Sequence, residues 1–210
     1  MAPKIQYHLF KNKYGTFPTQ GSDKGRILLG DIIKKYNKKT FVEIGVYGGA
    51  SLFYLKDKFP ELIIYGIDPH DKIEIFNGKT LDELNKKDVE ERTNNLAKFR
   101  KNIEESIEKY NLDIKYINNT SWNVYKEFKD NSIDVLFIDG DHSYNGVKKD
   151  LELFYPKMSK DGIIIMDDYN WTPIKKASTE FVQKHGLTHI VPSELRGTKL
   201  IIYMDSKSVL

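Results

Sequence analysis

FIDGDH at residues 137–142 and GIIIMDD at residues 162–168 decide the reading of this chain. Each is an apolar run ending in acids, Asp139 and Asp141 in the first and Asp167 and Asp168 in the second. Short continuous apolar runs are expected of strands covered on both faces of a parallel sheet. Parallel strands finish at one edge, so this fold would gather the carboxylates in one place. Like charges so gathered repel, and a proton or a divalent cation is the usual relief. The pattern reads as a metal site on an α/β sheet.

Upstream, FVEIGVYGGASL at 41–52 places a glycine-rich turn between a strand and a helix, where such sheets cradle nucleotide-like cofactors. Gly45, Gly48 and Gly49 permit close backbone approach. The spacing is not the GxGxxG of dinucleotide binders, because Val46 and Tyr47 precede Gly48. An NAD-dependent oxidoreductase is disfavoured on that ground. Glu43 would repel a pyrophosphate but attract an ammonium or sulfonium. Asp68, at the end of IIYGID, stands where an acid commonly holds ribose hydroxyls. Together they point to a cofactor that is adenosine-like at one end and cationic at the other.

The rest of the chain supplies the alternation that a doubly wound sheet needs. Strands are expected at Thr40–Ile44, Leu62–Ile67, Ile114–Ile117, Ile133–Ile138 and Gly162–Met166, then at Thr188–Val191 and Lys199–Met204 as a terminal hairpin around 193–197. Helices are expected at Lys24–Tyr36, Ala50–Lys58, Val89–Tyr110, Ser121–Phe128, Tyr144–Phe154 and Pro173–Lys184. The βα order predicts a mostly parallel Rossmann-like sheet with right-handed crossovers, helices on both faces and an antiparallel hairpin at the end. One domain over 1–210 is expected, with 1–38 as an N-terminal lid and helical segment and 39–210 as the cofactor-binding core.

The 33 Lys and Arg exceed the 30 Asp and Glu by only 3 and are scattered, so a nucleic-acid partner is not indicated. Without cysteine there is no disulfide, thiolate ligand or cysteine nucleophile. No stretch reaches the roughly 20 apolar residues of a membrane helix, and a soluble, cytoplasmic protein is expected. Homo-oligomerisation is left open.

FVEIGVYGGASLFYL, IYGID and IDVLFIDGDHSYNGVKKDLELFYPKMSKDGIIIMDDY resemble class I S-adenosylmethionine-dependent methyltransferases, and more narrowly the metal-dependent sugar and small-molecule O-methyltransferases. The glycine turn departs from the commoner ExGxGxG. The resemblance implies that Glu43, Gly45, Gly48, Gly49 and Ser51 lie along the methionine part of S-adenosyl-L-methionine, that Asp68 binds its ribose, and that Asn119, Thr120 and Ser121 lie near the adenine. Asp139, which also borders the cofactor, would ligate Mg²⁺ or Mn²⁺ with Asp167 and Asp168. Oxygen donors without sulfur suit those ions independently of the resemblance.

Two residues compete as general base. The second acid of a DGD motif corresponds to Asp141, and a histidine three positions after the metal-binding acid corresponds to His142. An imidazole is the better proton acceptor near neutral pH, which favours His142. Residues 14–25 are rich in Gly, Thr and Ser and read as a mobile lid, with Asp23 and Lys24 as candidates to contact ligand. Tyr169 and Trp171 would offer an aromatic surface for stacking a sugar. The expected activity is metal-dependent methyl transfer to a hydroxyl of a sugar or other glycan acceptor. A catechol or phenolic acceptor and a non-catalytic binding module are the rivals.

Overall fold

The computed structural model describes residues 8–19, 23–70, 75–76, 79–80, 86–190 and 201–205. An N-terminal hairpin, β1 (His8–Asn12) and β2 (Gly15–Thr19), precedes α1 (Asp23–Lys35). The alternating core follows as β3 (Thr40–Ile44), α2 (Ala50–Lys58), β4 (Ile63–Ile67), α3 (Lys86–Lys109), β7 (Ile114–Ile117), α4 (Ser121–Val124), β8 (Ile133–Ile138), α5 (Tyr144–Phe154), β9 (Met158–Met166) and α6 (Thr172–His185). A two-stranded excursion, β5 (Ile75–Phe76) and β6 (Lys79–Thr80), lies between β4 and α3. The chain closes on β10 (Leu187–Ile190) and β11 (Ile201–Asp205).

The central sheet runs β10-β11-β9-β8-β3-β4-β7. β7, β4, β3, β8 and β9 pair in parallel, and β11 runs antiparallel to both β9 and β10. Chain order reverses between β3 and β8. Ligands of open α/β sheets bind at such a reversal, outside the carboxyl ends of the strands. The doubly wound sheet with a terminal hairpin is therefore as expected, although residues 191–200, including the expected turn at 193–197, lie outside the described residues.

The inner strands β3, β8 and β9 bury side chains on both faces. Phe41, Ile64, Val135 and Ile163 meet α1, α2 and α3 through Leu29, Ile33, Leu52, Phe53 and Ile103. Their strand neighbours Val42, Leu136 and Ile164 face the opposite way, towards Val124, Val147, Leu151, Phe154, Ile174 and Phe181 of α4, α5 and α6. α5 is capped by Ser143, whose side chain accepts from the Gly146 amide, and α6 stops at Gly186 in the left-handed conformation.

Besides shifts of one to three residues at other element ends, three features differ from expectation. β9 begins at Met158 rather than Gly162, buried Met158 being followed by the polar Ser159, Lys160 and Asp161 before the apolar run. The helix expected at Ser121–Phe128 is one α-turn followed by a 3₁₀ turn at Tyr125–Glu127. Within the segment expected as a lid, 15–19 form β2, which packs on the core. Phe17 of β2 has 0% exposure and stacks on Phe53 with ring centroids 3.9 Å apart and planes at 10°. Asn12 Nδ2 donates to the Phe53 carbonyl (2.9 Å) and Asn102 Nδ2 to that of Thr16 (3.1 Å). Residues 20–22 lie outside the described residues.

Candidate functional site at the carboxyl edge of the sheet

Register aligns the strand ends. Ile44 pairs with both Ile67 and Ile138, Ile67 with Ile117, and Ile138 with Met166. The next residue of each strand therefore enters one row: Gly45, Asp68, Asn118, Asp139 and Asp167. The ladder continues through that row, with the amides of Gly45, Asp68, Asp139 and Asp167 donating to Ile67, Ile117, Ile44 and Ile138 at 2.8–3.1 Å. Parallel pairing thus brings the glycine turn and both acidic motifs together, as the sequence implied.

The turn is held from both sides. Gly45 sits at φ 90, and a Cβ there would overlap the Asp139 carbonyl, so no other residue fits. A Cβ at Gly48 would overlap the Pro18 carbonyl, which shows how closely β2 lies against the turn. Gly49, at φ 83, caps α2. The Val46 and Tyr47 amides both donate to Asp68 Oδ2 at 2.8 Å. Burial raises the Asp68 pKa, against the pull of His70 and these two amides.

Glu43 is more enclosed than expected. It has 2% exposure, and the Ser51 hydroxyl lies 2.5 and 2.6 Å from its two oxygens. Burial foremost, then the fields of Asp139 and Asp68, push its pKa well up, with Ser51 opposing. Glu43 and Ser51 are thus a closed pair beneath the turn.

At the end of β7, Asn119 Oδ1 accepts from the Thr120 amide (2.9 Å) and from Asn123 Nδ2 (3.1 Å). Thr120 Oγ1 is buried with no hydrogen-bond partner among the described residues. Ser121 is committed elsewhere, donating to buried Asp150 of α5.

The second acidic motif separates the two candidate bases. Asp141 turns back on its own chain, accepting from the Ser143 amide (3.0 Å) and hydroxyl (2.8 Å) where α5 begins. His142 faces the row of acids, with Nε2 3.3 Å from Asp139 Oδ1 and Nδ1 4.0 Å from Asp168 Oδ2. Burial alone would lower the His142 pKa, but the Asp139 hydrogen bond and the fields of Asp139, Asp168 and Asp167 hold it above the ordinary imidazole value. Burial, opposed by His142 and reinforced by Asp167 and Asp168, lifts Asp139 to about 7. The half-exposed Trp171 ring meets the His142 ring edge-on at 5.4 Å. Tyr169 packs instead against the core beneath α5 and α6.

Among the described residues no group of three or more His, Asp and Glu side chains is arranged to hold a metal ion. His142 lies against Asp139 and Asp168 instead. The donor chemistry still suits a hard cation, because the acids are all oxygen donors and raise one another's affinity for positive charge. Asp23 and Lys24 occupy the exposed first turn of α1. Asp23 accepts from Arg26, whose Nη1 donates to Thr19 Oγ1 at 2.8 Å.

Sequence reading passed over Arg26 and Tyr116. Arg26 has 7% exposure and lies 5.0 Å over Phe10, yet in the sequence it is one of many scattered cations. His70 was marked only by following Asp68 and Pro69. Tyr116 carried no signal beyond belonging to a strand.

Residues 42–169 match a family described as a methyltransferase domain. The chain belongs to the methyltransferase domain family. An uncharacterised protein, R132, of Acanthamoeba polyphaga mimivirus is 28% identical over 144 residues, covering 64% of this chain and 54% of the viral protein. This methyltransferase domain thus spans about half the length of the curated relative it matches. Among solved structures, the O-methyltransferase NovP superposes with a TM-score of 0.63 at 19% identity, covering 86% of this chain and 78% of that one. The S-adenosylhomocysteine-bound Podospora anserina methyltransferase PaMTH1 gives 0.62 at 14% identity over 89% and 80%. The Bacillus cereus O-methyltransferase in complex with S-adenosylhomocysteine gives 0.54 at 15% identity over 88% and 82%. These likenesses establish the class I methyltransferase fold. Among the described residues, no helix of the methyltransferase domain is long and apolar enough to cross a membrane.

Proposed function

We propose that this domain transfers the methyl group of S-adenosyl-L-methionine to a hydroxyl of a sugar or glycoconjugate, assisted by Mg²⁺ or Mn²⁺. The observation that carries the reading is the convergence of Glu43, Asp68 and Asp139 at the β3/β8 reversal, each with its pKa raised by burial. Such a site gains stability from a ligand that brings positive charge and hydroxyls together, which a sulfonium nucleoside does.

When bound, the cofactor supplies an electrophilic methyl group, and a divalent ion held by Asp139, Asp167 and Asp168 would acidify the acceptor hydroxyl. The chain's own work is positioning and proton transfer. In the neutral His142 ring, Nε2–H points to Asp139 and leaves the Nδ1 lone pair on the Asp168 side to take the acceptor's proton. Asp139 and Asp168 then stabilise the imidazolium. The partly exposed Trp171 ring, beside the His142 ring, suits the C–H surface of a pyranose, which is the reason for placing a sugar ahead of a catechol.

The test is calorimetric titration with S-adenosylhomocysteine, followed by methyl transfer from labelled cofactor to a panel of sugar, glycoside and catechol acceptors with Mg²⁺, Mn²⁺ or chelator. Methylation of sugars in preference to catechols is expected. Binding without transfer to any hydroxyl would leave a binding module, and preference for catechols would reassign the acceptor.

A further inference from the structure

We propose that His70 is a positioning residue for the cofactor site: it locks the glycine turn and Asp68 into the geometry that holds S-adenosyl-L-methionine. The proposal rests on the methyltransferase reading above and adds a residue to the binding machinery.

His70 lies in a loop just past β4 and yet has 0% exposure. Loop side chains usually meet solvent, so a fully buried imidazole there calls for partners at both nitrogens. It has them. Nε2 is 2.5 Å from the Tyr47 carbonyl oxygen, and Nδ1 is hydrogen-bonded to the Tyr116 hydroxyl. A carbonyl can only accept, so Nε2 carries the hydrogen, and in the neutral ring Nδ1 accepts from Tyr116. Nδ1 also lies 3.8 Å from Asp68 Oδ1, and Tyr116 Oη lies 3.4 Å from the Asp68 carbonyl oxygen. One ring therefore ties together the turn after β3, the end of β4 and the end of β7.

What it restrains is a conformation the chain would not keep unaided. Tyr47 sits at φ 51, in the left-handed region that a bulky residue seldom occupies unless its surroundings over-determine it. Asp68 Oδ2 takes the Tyr47 amide at 2.8 Å, His70 takes its carbonyl, and the Tyr47 ring meets Phe99 edge-on at 5.0 Å. Asp68 thus has one oxygen committed to the turn, and the other lies on the side His70 faces. Without His70 the Tyr47 peptide is released on its carbonyl side, and Asp68 loses the fixed orientation a ribose diol needs. His142 and Asp139 belong to the other motif, so proton transfer should be spared.

The experiment measures S-adenosylhomocysteine affinity by calorimetry and methyl-transfer kinetics on the full chain, with His70→Leu, His70→Gln and Tyr116→Phe, and thermal melts of each. His70→Leu is expected to weaken affinity and raise the cofactor KM by about tenfold or more, with kcat at saturating cofactor nearly unchanged. His70→Gln, which can donate to Tyr47 and accept from Tyr116, should recover most of the loss, and Tyr116→Phe should show a smaller one. Wild-type affinity in folded His70→Leu, or a loss confined to kcat or to melting temperature, would overturn the role. If His70→Leu does not fold, the other two decide: wild-type affinity in Tyr116→Phe or no rescue by Gln overturns it. Failure of the wild-type chain to bind S-adenosylhomocysteine would bring down the cofactor reading itself, an outcome distinct from binding that the variants leave untouched.

Discussion

Nε2 of His142 lies 3.3 Å from Oδ1 of Asp139, whereas Asp141, one residue earlier, is bonded to Ser143 at the start of α5. Adjacent residues thus have separate tasks: one imidazole faces the row of acids and one carboxylate secures a helix.

Replacing His142 with Ala is expected to lower kcat for methyl transfer by about 10²–10⁴-fold. Asp141→Ala should act mainly on stability, by about 1 kcal/mol, the scale of a lost helix-start hydrogen bond. Kinetics and melts of both variants check this, and full turnover in His142→Ala beside an inactive, well-folded Asp141→Ala would reverse the assignment.

Chelation is expected to abolish turnover, and Mg²⁺ or Mn²⁺ to restore it. Asp168→Asn tests the ligand set without disturbing the backbone, because Asp168 sits at φ 48, a region Asn tolerates. The metal concentration for half-activation should rise about tenfold or more. Turnover indifferent to chelator would remove the ion from the mechanism.

Trp171 exposes 41% of its surface beside His142. Trp171→Ala should raise the acceptor KM by about fivefold, the value of roughly 1 kcal/mol of ring contact, and leave S-adenosylhomocysteine affinity unchanged. Equal acceptor KM in both proteins would reduce Trp171 to an anchor for α6.

Asp150 has 2% exposure, and burial, opposed by Ser121 and reinforced by Asp141, lifts its pKa from an ordinary 3.8 to about 7. Between those values the folded chain holds a proton that the unfolded chain has released, so stability falls as pH rises through the window. The loss is complete above about pH 7 and amounts to at most about 4 kcal/mol. Glu43, also raised, acts in the same sense. Asp150→Asn should flatten the decline in urea melts at pH 5 and pH 8; an unchanged slope would show that Asp150 is not the group responsible.

Phe17→Ala removes a fully buried ring stacked on Phe53 and should cost about 3–5 kcal/mol. Because Pro18 of the same strand lies against Gly48, cofactor affinity should fall with it. Stability close to wild type would mean that the hairpin is dispensable to the core.

The sequence alone determined the sheet, because its signals are local. Unbroken apolar runs such as GIIIM and VLFI announce strands buried on both faces, amphipathic stretches such as 89–110 announce covering helices, and their alternation dictates parallel pairing. Parallel pairing then puts residues that follow strand ends side by side, so Gly45, Asp68, Asp139 and Asp167 were legible as neighbours before any coordinates. What tertiary structure decided is which atoms those neighbours spend on one another. Residues 14–25 read as a mobile lid because they are rich in Gly, Thr and Ser; within them 15–19 become a strand paired with 8–12 because Phe53, Asn102 and Gly48, distant in sequence, meet them. The closure of Glu43 on Ser51, the turn of Asp141 to Ser143, the commitment of Ser121 to Asp150 and the burial of His70 follow the same logic. A side chain's type is written at its own position, but its direction, burial and proton affinity are set by groups the fold brings from elsewhere in the chain.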